Sequence, residues 1–225
     1  AFQNCMSLTT VNMPDEGGVY FGKVCFAYDS ALRTIDLSKV GTPEKLGVIE
    51  AQTFYGCTSL RRADLQNVKA VYANAFGDCG SLGYINIPNV EHLGEGAFGK
   101  YSQYGSGPEV QSVTLPNTLK VMEDGVFAGC AYLEEIVIPS PVTQFGKQMF
   151  AYCTSLKKVT LPSNLKNLGE YTFAGCTSLA EINLADVETV GAYCFAADGA
   201  LTDVHLASLK YVGEAAFGSS GIKSV

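Results

Sequence analysis

The stretch Leu168-Gly169-Glu170-Tyr171-Thr172-Phe173-Ala174-Gly175-Cys176-Thr177-Ser178-Leu179-Ala180-Glu181-Ile182-Asn183-Leu184 decides how the chain is read. Apolar residues stand five before the phenylalanine and six, nine and eleven after it, with a glycine four before and a cysteine three after. The same columns return around Phe2, Phe26, Phe54, Phe76, Phe98, Phe127, Phe150, Phe195 and Phe217, at steps of 24, 28, 22, 22, 29, 23, 23, 22 and 22 residues when Phe173 is included. Self-similarity at such a period marks a chain built from stacked copies of one small unit. One unit cannot bury its own apolar face, so neighbours must share a continuous interior.

The segment from six to eleven after each phenylalanine reads L-x-x-[IV]-x-[LI], as in Leu82, Ile85 and Ile87 or Leu133, Ile136 and Ile138. Its last two apolar positions lie two apart, which puts both side chains on one face of a strand and the residue between them on the other. One short half-buried strand per unit is expected, closed by proline at Pro14, Pro88, Pro116, Pro139 and Pro162, since proline donates no ladder hydrogen bond. The glycines four before the phenylalanine, such as Gly94, Gly146, Gly169, Gly191 and Gly213, are expected at turns needing positive φ. Between them the Ala-Phe-x-x-Cys piece has room for no more than a helical turn.

These columns, I-G-x-x-A-F-x-x-C-x-S-L-x-x-[IV]-x-[LI]-P, resemble the BspA-type leucine-rich repeats of bacterial surface proteins, and the resemblance covers essentially the whole chain. It implies a leucine-rich-repeat solenoid: a curved right-handed coil with a parallel β-sheet on the concave face, and short strands and helical turns elsewhere. It also implies export to the cell surface and roles in adhesion or host-protein binding, with no shared catalytic residues to carry over. About ten repeats in a single domain over 1–225 are expected, with both ends falling within a repeat.

Composition agrees. The chain has 225 residues, 47% hydrophobic and 16% charged, the balance of a folded protein with a large apolar interior. A net charge of −7 opposes the phosphate attraction that dominates nucleic-acid binding, so DNA, RNA and anionic membranes are poor partners. No apolar run approaches the ~20 residues of a spanning helix, and Ala1 opens no charged-then-apolar leader. No membrane insertion is expected.

Function is sought where the repeat carries something besides structure. On the strand face turned away from the core, the flanking residues run Thr10/Asn12, Thr34/Asp36, Arg62/Asp64, Tyr84/Asn86, Ser112/Thr114, Glu135/Val137, Lys158/Thr160, Glu181/Asn183 and Asp203/His205. Arg62 and Tyr84, with Asp64 and Asn86 beside them, form the candidate anchor, because arginine and tyrosine lead the residues that carry binding energy at interfaces; a solvated polar ladder is the plain alternative. Two insertions break the period. Lys39–Lys45, with Gly41-Thr42-Pro43, is expected to protrude after a strand, and 100–108 carries Tyr101 and Tyr104, amphipathic side chains suited to contacts.

Catalytic and cofactor readings fail on spacing. The eight cysteines follow the repeat register, six of them three after a phenylalanine, and contain no C-x-x-C pair; buried free thiols are expected. Cys25 and Cys194 instead precede their phenylalanines in units that place Asp29 and Asp198 in the usual cysteine slot. Gly94-Glu95-Gly96-Ala97-Phe98-Gly99 matches a dinucleotide fingerprint by letter, but its glycine and phenylalanine belong to the repeat and no long helix follows. His92 sits beside no cysteine column. His205, on the same face as Asp203 and near Glu181 and Asn183, could be oriented there or hold a weak metal ion, but reads first as part of a solvent-facing polar ladder. The carboxylates are spread over different repeats. The expectation is therefore a non-catalytic scaffold without cofactor or metal, binding a protein or glycoprotein; a structural spacer or a carbohydrate-binding surface module are the alternatives.

Overall fold

The computed structural model describes residues 1–100 and 107–224. It is a parallel-stranded solenoid with almost no helix, the exception among the described residues being one 3₁₀ turn at Leu37–Lys39. The phenylalanines of the repeat form one unbroken stack: successive rings lie 5.1–5.9 Å apart and within 14° of parallel from Phe2 to Phe217. The eight inner rings are at most 1% exposed. Each inner phenylalanine amide also bonds the carbonyl just before the next phenylalanine, for example Phe173 to Cys194 at 2.8 Å and Phe150 to Thr172 at 2.8 Å. The ring stack thus rides on a backbone ladder of its own.

The expected strand is present and pairs in parallel from coil to coil. Arg62–Asp64 pairs with Tyr84–Asn86, and Glu135–Val137 with Lys158–Thr160, which pairs in turn with Glu181–Ile182. This first ladder buries its middle residue, as at Ala63, Ile85, Ile136 and Val159, and leaves its flanks exposed or, at Asp64 and Asn86, half-buried. The expectation of a single strand per unit is corrected by a second parallel ladder just before the phenylalanines: Gly47–Ile49, Val68–Val71, His92–Leu93, Val121–Met122 and Gln144–Phe145, then Asn167–Leu168, Thr189–Val190 and Tyr211–Val212. Most of these strands are two residues long and run straight into a turn, too brief for alternation to reveal them.

The glycine column is corrected as well. Gly94, Gly146, Gly169, Gly191 and Gly213 do not have positive φ. A Cβ at Gly191 would stand 2.6 Å from the Gly169 carbonyl carbon, and one at Gly213 2.4 Å from the Ala192 nitrogen. Glycine is required there so that the backbones of neighbouring coils can touch. Left-handed backbone falls instead two residues before and two after the phenylalanine, on varied residues such as Asn74, Gln148, Tyr171 and Tyr193 before it and Tyr28, Asp78, Tyr152 and Ala197 after it.

The cysteine column is a structural device. The thiols of Cys57, Cys79, Cys153 and Cys176 donate to the carbonyl of the phenylalanine one coil earlier at 3.1–3.2 Å, and Cys130 does so at 3.6 Å. Cysteine suits a slot that wants a small apolar side chain with one weak donor. All eight cysteines are free, and all but Cys5 are buried. Burial pushes the thiols of Cys57 and Cys153 up to about 12 and raises those of Cys79, Cys130, Cys176 and Cys194 too.

Candidate functional site

The first ladder brings four of the sequence candidates together. Its register sets Arg62 beside Tyr84 and Asp64 beside Asn86 on adjacent strands. The Arg62 guanidinium carbon lies 4.0 Å from the centre of the Tyr84 ring, a cation–π geometry, and Nη2 donates to Asp64 Oδ2 at 2.8 Å. Asn86 Nδ2 donates to the other Asp64 oxygen at 2.7 Å. Partial burial pushes the Asp64 carboxyl up, but the hydrogen bonds from Arg62 and Asn86 and the guanidinium charge outweigh it and leave the group below the usual carboxylate range. The Arg62–Asp64 hydrogen bond in turn raises Arg62. The arginine and the tyrosine stay exposed, with Tyr84 42% accessible.

Chemically this is an exposed guanidinium held between a ring and a carboxylate. One guanidinium N–H is engaged by Asp64, and the planar fork has others to offer a carbonyl or carboxylate ligand. Its head is already held over the tyrosine ring, so part of its rotamer freedom is lost before any contact forms. Beside it a groove of about 470 Å³ runs over Thr10, Asn12, Thr34 and Asp36 to Arg62 and Asp64. Further along the same face Lys158 pairs with Glu181 at 2.8 Å, and Asn183 spans to the Leu161 backbone, accepting from its amide at 2.7 Å and donating to its carbonyl at 2.8 Å. Those groups are engaged in joining coils.

Tyr101 and Tyr104 lie outside the described residues. The first insertion rises from a buried base of Leu37, Val40 and Gly41, and Gly41 and Leu46 bridge to close a tight hairpin whose Pro43, Glu44 and Lys45 are exposed. Sequence reasoning also missed the outer face of the second ladder. There the Tyr20 hydroxyl donates to Glu50 at 2.9 Å, Tyr72 meets the edge of His92 at 5.7 Å, and His92 Nε2 lies 2.8 Å from Glu123 Oε1. The signal lay in the positions six and four before the phenylalanine, which share a face only once the ladder is known. His205 is exposed, while Asp203 is tied to Ser224 and Thr202.

Among the described residues no cluster of three or more His, Cys, Asp or Glu side chains could hold a metal ion, and no helix is long and apolar enough to cross a membrane. Gly94–Gly99 passes from a strand end into a turn, and Asn74 fills the space a Cβ on Gly96 would need.

Comparison with known proteins matches a family model described as a BspA type leucine-rich repeat region, in six copies, over residues 1–104 and 99–223. No curated protein matches. Among solved structures, a leucine-rich repeat protein of T. pallidum shares 28% identity with a TM-score of 0.62, covering 73% of this chain and 78% of its own. A leucine-rich cell surface protein of Faecalibacterium prausnitzii shares 24% identity with a TM-score of 0.51, covering 80% and 61%. A leucine-rich repeat protein of Eubacterium ventriosum shares 18% identity with a TM-score of 0.52, covering 86% and 58%; these last two likenesses concern the fold.

Proposed function

Because the chain belongs to the BspA-type leucine-rich repeat family, we propose that it is a non-catalytic scaffold that binds a protein or glycoprotein through the face of its first ladder, around Arg62 and Tyr84. The observation that carries this reading is the interlocked group Arg62–Tyr84–Asp64–Asn86. It holds an exposed guanidinium on an aromatic ring beside a ligand-sized groove. The insertion with Tyr101 and Tyr104 is proposed as a second contact, and adhesion at the cell surface as the setting; the description of the Faecalibacterium prausnitzii neighbour as a cell surface protein supports that setting. A sugar-stacking role is disfavoured because the guanidinium already covers the Tyr84 ring.

The test is a binding screen of the purified chain against arrayed extracellular proteins and arrayed glycans, repeated with Arg62→Ala/Tyr84→Ala and with residues 101–107 deleted. Loss of an interface anchor costs about 2 kcal/mol or more, so affinity for the protein partner should fall at least about thirtyfold in the double variant. Undiminished binding by both folded variants would refute the assignment of the surface. Binding confined to glycans would replace it with the carbohydrate reading.

A further inference from the structure

The second ladder has a gap where the first insertion enters. Where this ladder is continuous the amide four before a phenylalanine donates to the carbonyl five before the preceding one, as in Tyr72 to Ile49 at 2.9 Å, Gly94 to Val71 at 2.8 Å, Glu123 to Leu93 at 2.9 Å and Gly213 to Val190 at 2.7 Å; the ladder is also interrupted between Phe145 and Gly169. The equivalent bond from Glu50 to Phe21 is absent among the described residues, as is any pairing of Tyr20 with Val48. Val19 instead donates to the Lys39 carbonyl at 2.9 Å and bridges Val40. Gly47–Ile49 is therefore the edge of its five-stranded ladder. Gly47 donates to Asn67, and Ile49 accepts from Tyr72, on the paired side. Alternation along a strand turns the amide and carbonyl of Val48 to the open side.

At this gap the insertion intervenes. Thr42 and Lys45 exchange backbone hydrogen bonds at 3.0 and 3.2 Å, and Gly41 lies so close to Gly47 that a Cβ there would overlap its nitrogen. This hairpin stands between the two coils and leaves a groove of about 390 Å³, within the size range of ligand clefts. Val19, Val48, Leu46 and the Tyr20 ring wall it, and Lys45 and Lys69 stand at its rim. Neither lysine has an ion-pair partner among the described residues, whereas Lys120, Lys157, Lys158, Lys166 and Lys210 each meet a carboxylate of a neighbouring coil. The nearby Glu50 carboxylate accepts the Tyr20 hydroxyl. In a chain of net charge −7, Lys45 and Lys69 place two ammonium groups outside any ion pair over an apolar groove, Lys69 also acting at longer range on Glu91, which Lys120 already pairs.

We propose that this groove is a second binding site, separate from the Arg62 patch, which takes a short extended peptide segment of a partner protein bearing acidic side chains. The peptide backbone supplies the strand missing beside Gly47–Ile49, its apolar side chains fill the groove, and its carboxylates meet Lys45 and Lys69. Addition of a strand to an open sheet edge is a recurrent mode of peptide recognition in which the main chain gives affinity and the side-chain contacts give specificity. A small anion would use the lysines and leave the open edge and the valine wall unmatched.

The probe is a fluorescein-labelled, end-blocked heptapeptide alternating valine and glutamate, titrated by anisotropy into the full chain. Controls replace glutamate by glutamine, replace it by lysine, or N-methylate alternate amides. The glutamate peptide should saturate, the glutamine peptide bind more weakly, and the lysine and N-methylated peptides fail. Lys45→Glu/Lys69→Glu should weaken the glutamate peptide by about tenfold or more, and Arg62→Ala should leave it unchanged. No saturable binding, equal binding of the N-methylated or lysine peptide, or undiminished binding by the charge-reversed variant would overturn the proposal. So would full competition by inorganic phosphate, which would mark an anion site alone, or loss in Arg62→Ala, which would place the peptide on the first ladder.

Discussion

Asp198 occupies the slot that cysteine fills in most coils, and it predicts how the stability of the chain depends on pH. Its side chain is buried, and neither oxygen has a hydrogen-bond partner of good geometry. Burial pushes its carboxyl up to about 8, with the Cys176 and Gly175 amides opposing only in part. In the unfolded chain the group ionises near 3.8. The folded state therefore holds a proton that the unfolded state has released between about pH 4 and pH 8, and over that window the native state binds more protons. The sign follows: the stabilisation is complete below pH 4 and is lost as pH rises through the folded value. At about 1.4 kcal/mol per pH unit the whole window is worth at most about 5–6 kcal/mol, and local opening that lets water reach the group lowers it. Asp198→Asn removes the titration. Urea melts of both proteins from pH 4 to pH 9 give a difference curve in which contributions from Asp29, Asp64, Glu91 and Glu188 cancel. Wild type should lose at least about 2 kcal/mol relative to the variant between pH 4 and pH 8, and the curve should flatten above. A difference that stays constant with pH to within about 0.5 kcal/mol would refute the buried protonated carboxyl.

Two more outcomes follow from the packing. Gly191→Ala pushes a methyl group against the Gly169–Glu170 backbone and should cost about 1–3 kcal/mol in denaturant melts, although alanine favours its non-positive φ as readily as glycine does. Thiol labelling of the native chain at pH 8 should modify Cys5 within minutes and the seven buried cysteines only after unfolding, counted by intact mass; rapid labelling of Cys130 or Cys153 in the folded state would contradict their burial and raised thiols.

The parts of the fold that repeat were legible because stacking copies one local solution. The phenylalanine column, the thiol column and the first ladder each have a fixed offset, and that offset alone predicts that Arg62 meets Tyr84 and Asp64 meets Asn86, each pair 22 residues apart. The second ladder was hidden because strands such as Thr189–Val190 end at once in a glycine that also suits a turn. Glycine in sequence can mean positive φ or crowding, and only the neighbouring coil at Gly191 or Gly213 tells which. The groove at Lys45 and Lys69 escaped for another reason. It depends on how Thr42 and Lys45 close on each other, a single event with no second copy in the chain to reveal it.

Phe173→Ala tests most directly whether the coils share one interior. The ring is fully buried between Phe150 at 5.6 Å and Phe195 at 5.3 Å, so its removal leaves a cavity that both neighbours line. Equilibrium denaturation should show a loss of about 3–5 kcal/mol, with native-state hydrogen exchange accelerated in the coils of Phe150 and Phe195 together. A loss below about 1 kcal/mol, or faster exchange in the substituted coil alone, would show that each unit stands on its own.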